Sequence, residues 1–220
     1  MHRSGTSCLA GCLEEAGLYL GDVNTKAQFN AKGNRENFAA MAVHDDVLAS
    51  ADGQWDNPPE LQPRWDETAI RKLESVIASY PIDKIWGLKD PRLLFVMDGW
   101  RKLTDPKLVG TFRHPAEVAK SLLRRAESWN RPMDEAHAFD LWARYNRRML
   151  EERARTAFPI IRYPDRDYIS KVTGICKNFG LAPPPTFTFF DSELRHYDAV
   201  SAEVPGELRE IWAELNDVAI

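Results

Sequence analysis

Three short apolar runs, each followed by a segment with helical periodicity, constrain the fold of this chain more than any other feature. The runs cover residues 85–88, 108–112 and 158–163. Buried strands that alternate with helices are typical of a parallel sheet, because each helix provides the crossover to the next strand. The sequence therefore predicts an α/β fold of three layers, a parallel sheet with helices on both faces, in one domain spanning residues 1–220.

Apolar residues recur at helical spacing around and between these runs. The first helix is expected to open near Thr6 and to stop at Gly17. Further helices are predicted at about 38–48, 65–80, 93 onward, 116–125, 133–157, 166–179 and 205–215. Stretches rich in Asn, Gly or Pro are predicted to be loops, at 21–33, 50–65 and 181–191.

Composition and charge exclude several classes of protein. The chain is 44% hydrophobic and 28% charged, with a formal net charge of −4. This charge and the lack of a long basic run argue against a nucleic-acid partner. Three cysteines without a Cys-x-x-Cys pair favour a reduced, cytoplasmic protein. No apolar run is long enough for a membrane span.

The chain opens with a basic, hydroxyl-rich loop, His2-Arg3-Ser4-Gly5-Thr6-Ser7, directly before the first predicted helix. Unpaired N–H groups at a helix start attract anions, and Arg3 adds a fixed positive charge. The loop lacks the Gly-Lys-Ser/Thr ending of nucleotide triphosphatases, with its lysine and magnesium-binding hydroxyl. Two interpretations stay open: a phosphate-cradling loop, or an ordinary helix start with a solvated arginine.

Charged clusters follow the predicted strands. Lys89–Arg92 follows the first apolar run and Arg113 ends the second, while Arg3 would join them if a strand precedes its loop. Ligands of parallel α/β sheets bind at the carboxyl ends of strands. We therefore expect these clusters to converge on one rim of the sheet.

Two of the clusters together resemble the sulfotransferase family that uses 3′-phosphoadenosine 5′-phosphosulfate (PAPS). Residues 2–7 resemble its 5′-phosphosulfate loop, in which Lys or Arg precedes Ser-Gly-Thr-Thr/Ser, and residues 109–115 with Ser121 resemble its 3′-phosphate motif. The resemblance implies a P-loop-like nucleotide-binding fold, PAPS as donor, 3′,5′-ADP as product and no metal. It implies these cofactor-binding residues: Arg3, Ser4, Gly5, Thr6, Ser7, Arg113 and Ser121.

The resemblance also suggests catalytic residues. Lys89-Asp90-Pro91 resembles a stretch of tyrosylprotein sulfotransferases whose lysine reaches the transferring group, and Arg3 would neutralise the leaving oxygen beside it. Residues 30–38 resemble a loop in which several relatives place a catalytic Glu, which points to Glu36 as the general base. His44, two helical turns further on, is the second candidate because its unperturbed pKa suits the role.

Each assignment has a structural alternative. Glu36 could be a solvated or helix-capping carboxylate, Lys89 could serve only in an ion pair with a nearby Asp, and His44 could be a surface histidine. Arg124 and Arg125 are interpreted as a solvated helix face rather than as outer partners of the 3′-phosphate.

The sequence departs from the family pattern in two places. The strand and glycine expected ahead of His2 are missing, so the first strand is absent from these residues. Either the natural chain begins upstream or this protein has lost a central strand. We expect the former, with about five to ten further residues upstream of Met1, mostly Val, Ile or Leu and ending in glycine. The Arg-Lys-Gly segment that cytosolic relatives carry near the C-terminus is also missing, which leaves the adenosine contacts unassigned.

Two other functions remain open at this point. A small-molecule kinase would need a P-loop lysine and a magnesium carboxylate, and a degenerate nucleotide-binding or scaffold protein would need neither. The expected partner is a small-molecule or carbohydrate acceptor, and a homodimer is compatible with the sequence. Loops around Trp55 and Trp65 and at 181–190 are the candidate walls of the acceptor pocket.

Overall fold

The computed structural model describes residues 1–28, 30–190 and 203–220. Within these residues the chain forms eight α-helices and two β-strands. The helices are α1 (Thr6–Glu15), α2 (Phe38–Ala49), α3 (Glu67–Ala78), α4 (Leu93–Leu103), α5 (Pro115–Ser128), α6 (Glu135–Arg155), α7 (Tyr168–Asn178) and α8 (Arg209–Val218). The strands are β1 (Gly110–Phe112) and β2 (Ile160–Arg162), and a 3₁₀ turn, Gly206–Leu208, precedes α8.

The predicted helices are confirmed, with their ends shifted, because their start signals are local in sequence. Asn37, Asp66 and Asp134 cap α2, α3 and α6 by accepting a backbone N–H three residues on, at 3.0, 2.8 and 2.8 Å. Pro115 is the first residue of α5, where its missing N–H costs nothing. The predicted loop at 181–191 ends on Asp191, which lies outside the described residues.

The sheet confirms the α/β class but is smaller than predicted. β1 and β2 pair in parallel, with Gly110 opposite Ile160 and Phe112 opposite Arg162. The prediction of a strand at 85–88 is wrong. Among the described residues this stretch pairs only through one parallel bridge, between Tyr19 and Trp86. A single bridge does not make a ladder, so 85–88 is not a strand of the sheet.

Helices pack on both faces of the β1–β2 pair. Successive side chains of a strand point to opposite faces. Ile160 lies in an apolar cluster with residues of α4, α5, α6 and α8, whereas Ile161 lies in a second cluster with α1 and α7. The loop ahead of α1 lies beside β1, since the Thr111 hydroxyl donates to the Ser4 carbonyl at 3.0 Å. This hydrogen bond places the loop ahead of α1 next to the strand that leads to Arg113.

Candidate functional site

A basic pocket of about 460 Å³ opens at the amino end of α1. We call it the anion pocket. Its walls come from segments far apart in sequence. Among the described residues that line it, one is acidic, Glu36, and seven are basic: Arg3, Lys32, Lys89, Arg92, Arg113, Arg124 and Arg125. The amino end of a helix adds further positive potential. The pocket therefore favours a ligand with several negative charges.

The loop ahead of α1 has a backbone that requires glycine at position 5. Gly5 has a φ of 83°, and a Cβ there would lie 2.3 Å from the ring of Tyr163. Arg3 also has a positive φ, 62°. α1 starts without a side-chain cap, and Thr6 and Ser7 of its first turn line the pocket. Left-handed residues before uncapped N–H groups form an anion-binding nest.

A direct hydrogen bond joins the two segments in which the sequence predicts phosphate binding. The Arg3 Nε donates to the Ser121 Oγ at 2.8 Å, across 118 residues of chain. Both residues line the anion pocket. Ser4 differs from the prediction, because it is fully buried and is not among the lining residues. It supports the loop instead through its carbonyl, which accepts from Thr111.

Arg113 enters the anion pocket directly after β1. Its Nε donates to the Glu117 Oε2 at 2.5 Å, and its guanidinium carbon lies 5.7 Å from the centre of the Tyr163 ring. The ion pair within one helical turn and the ring contact together hold the plane of the guanidinium. A held, planar fork of donors suits recognition of phosphate oxygens.

Glu36 and Lys89 form a buried ion pair in the wall of the anion pocket. The Lys89 Nζ donates to the Glu36 Oε1 at 2.6 Å, and the two side chains are 11% and 8% exposed. An Arg92 nitrogen lies 4.0 Å from the other Glu36 oxygen. Glu36 is thus not solvated, nor does it cap a helix, because the next residue, Asn37, caps α2.

The segment that carries Glu36 is hydrogen-bonded to the first turn of α1. The Glu36 carbonyl accepts from the Asn24 N–H at 3.1 Å. Two residues earlier, the Asn34 carbonyl accepts from the Ser7 hydroxyl at 3.0 Å. Ser7 therefore contributes to the position of the carboxylate as well as to the wall of the pocket.

His44 lies outside the anion pocket and is fully buried. Its Nδ1 is 2.8 Å from the Asp90 Oδ2, and its Nε2 accepts from the Trp100 Nε1 at 2.9 Å. Because an indole N–H can only donate, the imidazole proton lies on Nδ1 and points to Asp90. His44 is not a surface residue, and both of its ring nitrogens have protein partners.

Asp90 links His44 to the wall of the anion pocket. Its Oδ1 accepts from the backbone N–H and from the Nε of Arg92, both at 2.9 Å. Burial alone would raise the pKa of Asp90, but the hydrogen bond from His44 and the charge of Arg92 hold it well below its usual value. Arg92, which the sequence left without a role, is fixed between Asp90 and Asp45 and lines the pocket.

Arg125 contradicts the interpretation of a solvated helix face. Its guanidinium carbon lies 4.2 Å from the ring centre of Trp55 and 4.9 Å from that of Trp129. Burial and the charge of Arg3 lower the pKa of Arg125 to about 10. One of its terminal nitrogens is buried without a hydrogen-bond partner among the described residues. An anion in the pocket would satisfy both the charge and this donor.

His2 lines the pocket as well, although no sequence pattern marks it as a site residue. Its ring packs edge-on against Trp55 and Tyr145, with centroids 4.9 and 5.6 Å apart. Burial and the charges of Arg125 and Lys89 lower its pKa well below the usual value, so the imidazole is neutral. Its Nε2 is buried and has no partner among the described residues, which makes it a further polar contact for a ligand.

The expected aromatic walls are present in part. Trp55 and Phe189 line the anion pocket. Phe189 is held by Lys32, whose Nζ donates to the Thr188 and Phe189 carbonyls at 2.7 and 3.1 Å. Trp65 packs instead against Gly99 of α4.

The fold and this site define an α/β protein with a polybasic anion pocket at the amino end of a helix. Comparison of the chain with family models, with characterised proteins and with solved structures finds no match. Across residues 1–28, 30–190 and 203–220, no helix is long and apolar enough to cross a membrane. The same residues contain no group of three or more His, Cys, Asp or Glu arranged to hold a metal ion.

Proposed function

We propose that this protein is a PAPS-dependent sulfotransferase that transfers a sulfuryl group to a hydroxyl or amine acceptor. The observation that carries the proposal is the Arg3–Ser121 hydrogen bond of 2.8 Å. It joins the loop that resembles a 5′-phosphosulfate site to the helix that resembles a 3′-phosphate site. Arg113 lines the same pocket. The proposal includes a P-loop-like relation between this loop, α1 and the sheet.

The charges of the anion pocket fit a donor of this kind. Seven cationic side chains line the pocket beside the carboxylate of Glu36, and positive charges grouped in a cleft attract an anionic ligand. The unpartnered nitrogens of Arg125 and His2 would be satisfied by ligand oxygens. When bound, PAPS supplies a sulfuryl group activated by its link to the 5′-phosphate.

Some residues of the pocket would bind PAPS, and others would neutralise the charge on the leaving phosphate oxygen. Arg113 and Ser121 would bind the 3′-phosphate. Arg3, Lys89 and the first backbone N–H groups of α1 would stabilise the negative charge that develops on the leaving phosphate oxygen as its bond to sulfur breaks. By analogy with phosphoryl transfer, positioning and electrostatics of this kind supply most of the catalysis.

Glu36 would accept the proton that the acceptor loses as its oxygen or nitrogen bonds to sulfur. Its carboxylate lies in the pocket wall, 2.6 Å from the Lys89 Nζ. The proposed base is therefore adjacent to the lysine that would neutralise the leaving oxygen. We assign the role to Glu36 rather than His44, whose ring nitrogens are engaged by Asp90 and Trp100. Trp55 and Phe189 would suit a sugar or an apolar alcohol as acceptor.

Ligand-dependent thermal unfolding tests the choice of nucleotide. We expect 3′,5′-ADP to raise the melting temperature more than 5′-ADP or ATP at equal concentration, because a ligand that binds only the folded state stabilises it. Preferential stabilisation by magnesium-ATP would replace the proposal with a kinase. No shift with any of the three would replace it with a scaffold protein.

Replacing Arg113 with alanine should discriminate between nucleotides. Loss of a charge-assisted hydrogen bond costs about 1.5–3 kcal/mol. We therefore expect the variant to bind 3′,5′-ADP about ten- to a hundredfold more weakly, with little change for 5′-AMP, which lacks the 3′-phosphate. Isothermal titration calorimetry with both nucleotides provides the comparison.

The matched control is Arg71→Ala, since Arg71 is an exposed arginine of α3, outside the anion pocket. It should leave both affinities unchanged. An equal loss of both nucleotides in Arg113→Ala would mean that the residue supports the pocket without reading the 3′-phosphate.

A further inference from the structure

A second cavity, of about 630 Å³, lies between the 85–88 stretch and β1. We call it the apolar groove. Its two broad walls are formed mainly by apolar side chains of α1 and of α4, among them Leu9, Leu13, Met97 and Trp100. Its two long sides are backbone edges. These edges, rather than the apolar walls, identify what the groove can bind.

The β1 side of the groove presents unpaired backbone groups. The Gly110 N–H and the Phe112 carbonyl hydrogen-bond to the β2 segment, at 2.9 and 2.8 Å. Alternate residues of a strand direct their backbone groups to opposite sides. The N–H and C=O of Val109 and Thr111 therefore point away from β2 and into the groove.

The opposite side has the same arrangement. The Ile85 carbonyl accepts from Tyr19 at 2.9 Å, and the Gly87 N–H donates to the Tyr19 carbonyl at 3.0 Å. By the same alternation, the backbone groups of Trp86 and Leu88 face the groove. Across the part of the chain that the structure describes, no backbone hydrogen bond outside the helices and the β1–β2 ladder reaches the N–H groups of Trp86, Leu88, Val109 and Thr111. The register of the ladder turns the Thr111 N–H away from β2.

The two edges run in the same direction. The 85–88 stretch, α4 and β1 follow one another as a bridged segment, a helix and a strand. A helical crossover of this kind connects parallel segments. An occupant must therefore offer donors and acceptors along both sides, and it must be apolar on both broad faces because helices cover both. A strand of Val, Ile and Leu without polar alternation has this combination of properties.

We propose that the apolar groove binds an extended β-strand, rich in Val, Ile or Leu, that lies parallel to β1 and joins it to the Trp86 edge. The partial charges of its backbone complement the unpaired groups on both sides. Its carboxyl end points toward the loop ahead of α1, because Thr6 and Lys89 line both the groove and the anion pocket. The bound strand completes the strand–loop–helix arrangement that phosphate-binding loops use.

The test uses the nucleotide-free chain, so its result does not depend on the proposed sulfotransferase activity. The probe is a six-residue Val/Ile peptide that carries two lysines at its amino end for solubility. A matched peptide of the same sequence is N-methylated at alternate residues, which removes the donors on one side and adds steric bulk there. Binding is measured by titration, and amide hydrogen exchange is followed residue by residue.

We expect the unmodified peptide to slow exchange at Trp86, Leu88, Val109 and Thr111 by at least about tenfold, since protected amides exchange only on opening. Gly87 and Gly110, which are already bonded, serve as internal references. The N-methylated peptide should bind at least about tenfold more weakly. Equal binding of the two peptides, or binding without protection of these amides, would overturn the proposal. Saturable binding of decanoate with no binding of the peptide would also overturn it and would assign the groove to an aliphatic small molecule.

Discussion

Replacing Glu36 with glutamine should lower turnover by about 10²–10⁴-fold, the usual contribution of a general base. Glutamine keeps the shape of the side chain and can still accept a hydrogen bond from Lys89, which lies 2.6 Å away. It cannot accept a proton from the acceptor. Release of 3′,5′-ADP from PAPS, measured with an acceptor that supports turnover, gives the rate.

Two measurements separate loss of the base from loss of the pocket. The affinity of Glu36→Gln for 3′,5′-ADP should stay within a few-fold of wild type, because the proposed binding of the 3′-phosphate uses Arg113 and Ser121 and not Glu36. Glu14→Gln is the matched control: Glu14 pairs with Arg35 at 2.9 Å, close in sequence to Glu36, but does not line the anion pocket. Normal turnover of Glu36→Gln would remove Glu36 from the proposed mechanism.

The sequence predicted which residues line the pocket better than it predicted their surroundings. The segments around Arg3, Arg113 and Lys89 could be placed on one rim because strand–helix junctions converge in parallel α/β folds. Glu36 was found through the motif alone. Its ion pair with Lys89 depends on the path of the 24–36 loop, and no periodicity in that stretch records the path.

His44 and Arg125 illustrate what the sequence could not provide. The two acidic residues after His44 suggested a surface position, yet its burial depends on Asp90 and Trp100, which are 46 and 56 residues away. Arg125 occurs on a helix with two other basic residues, Lys120 and Arg124, which suggested a solvent-exposed face. Its position between Trp55 and Trp129 depends on where an irregular loop packs. Contacts between residues so far apart in sequence cannot be predicted from a local sequence pattern.

The sheet was the least predictable element for a related reason. Helix starts are signalled by nearby residues such as Asn37 and Asp66, whereas a strand needs a partner to form a ladder. Residues 85–88 have the composition of a buried strand, but within the described part of the chain their one bridge partner is Tyr19. Residues 85–88 lie across the apolar groove from β1. The sequence predicts that they form a strand of the sheet, and the structure does not contain that strand.

Replacing Asp90 with asparagine should strongly destabilise the protein. The Asp90 side chain is buried, accepts two hydrogen bonds from Arg92 at 2.9 Å and lies 2.8 Å from His44. The amide keeps the shape but leaves the Arg92 guanidinium, which is 4% exposed, without its buried counter-charge. Breaking a buried ion pair in this way costs about 3–5 kcal/mol. Urea unfolding at pH 7 measures the loss.

The effect should depend on pH in a direction set by the lowered pKa of Asp90. An aspartate has a pKa of about 3.9 when unfolded, so its stabilising contribution is fully present above about pH 4. It is lost as the pH falls through the lower folded-state pKa. The difference in unfolding free energy between wild type and Asp90→Asn should therefore shrink below about pH 4.

The matched control is Asp98→Asn, in α4. Asp98 is 42% exposed and lies 3.8 Å from Arg155, and an exposed pair of this kind contributes no more than about 1 kcal/mol. A loss in Asp90→Asn as small as that of the control would mean that Arg92 keeps its position through Asp45 and Glu36 alone. A loss that stayed constant from pH 7 to below pH 4 would show that the hydrogen-bond geometry of Asp90, and not its charge, holds the wall of the anion pocket.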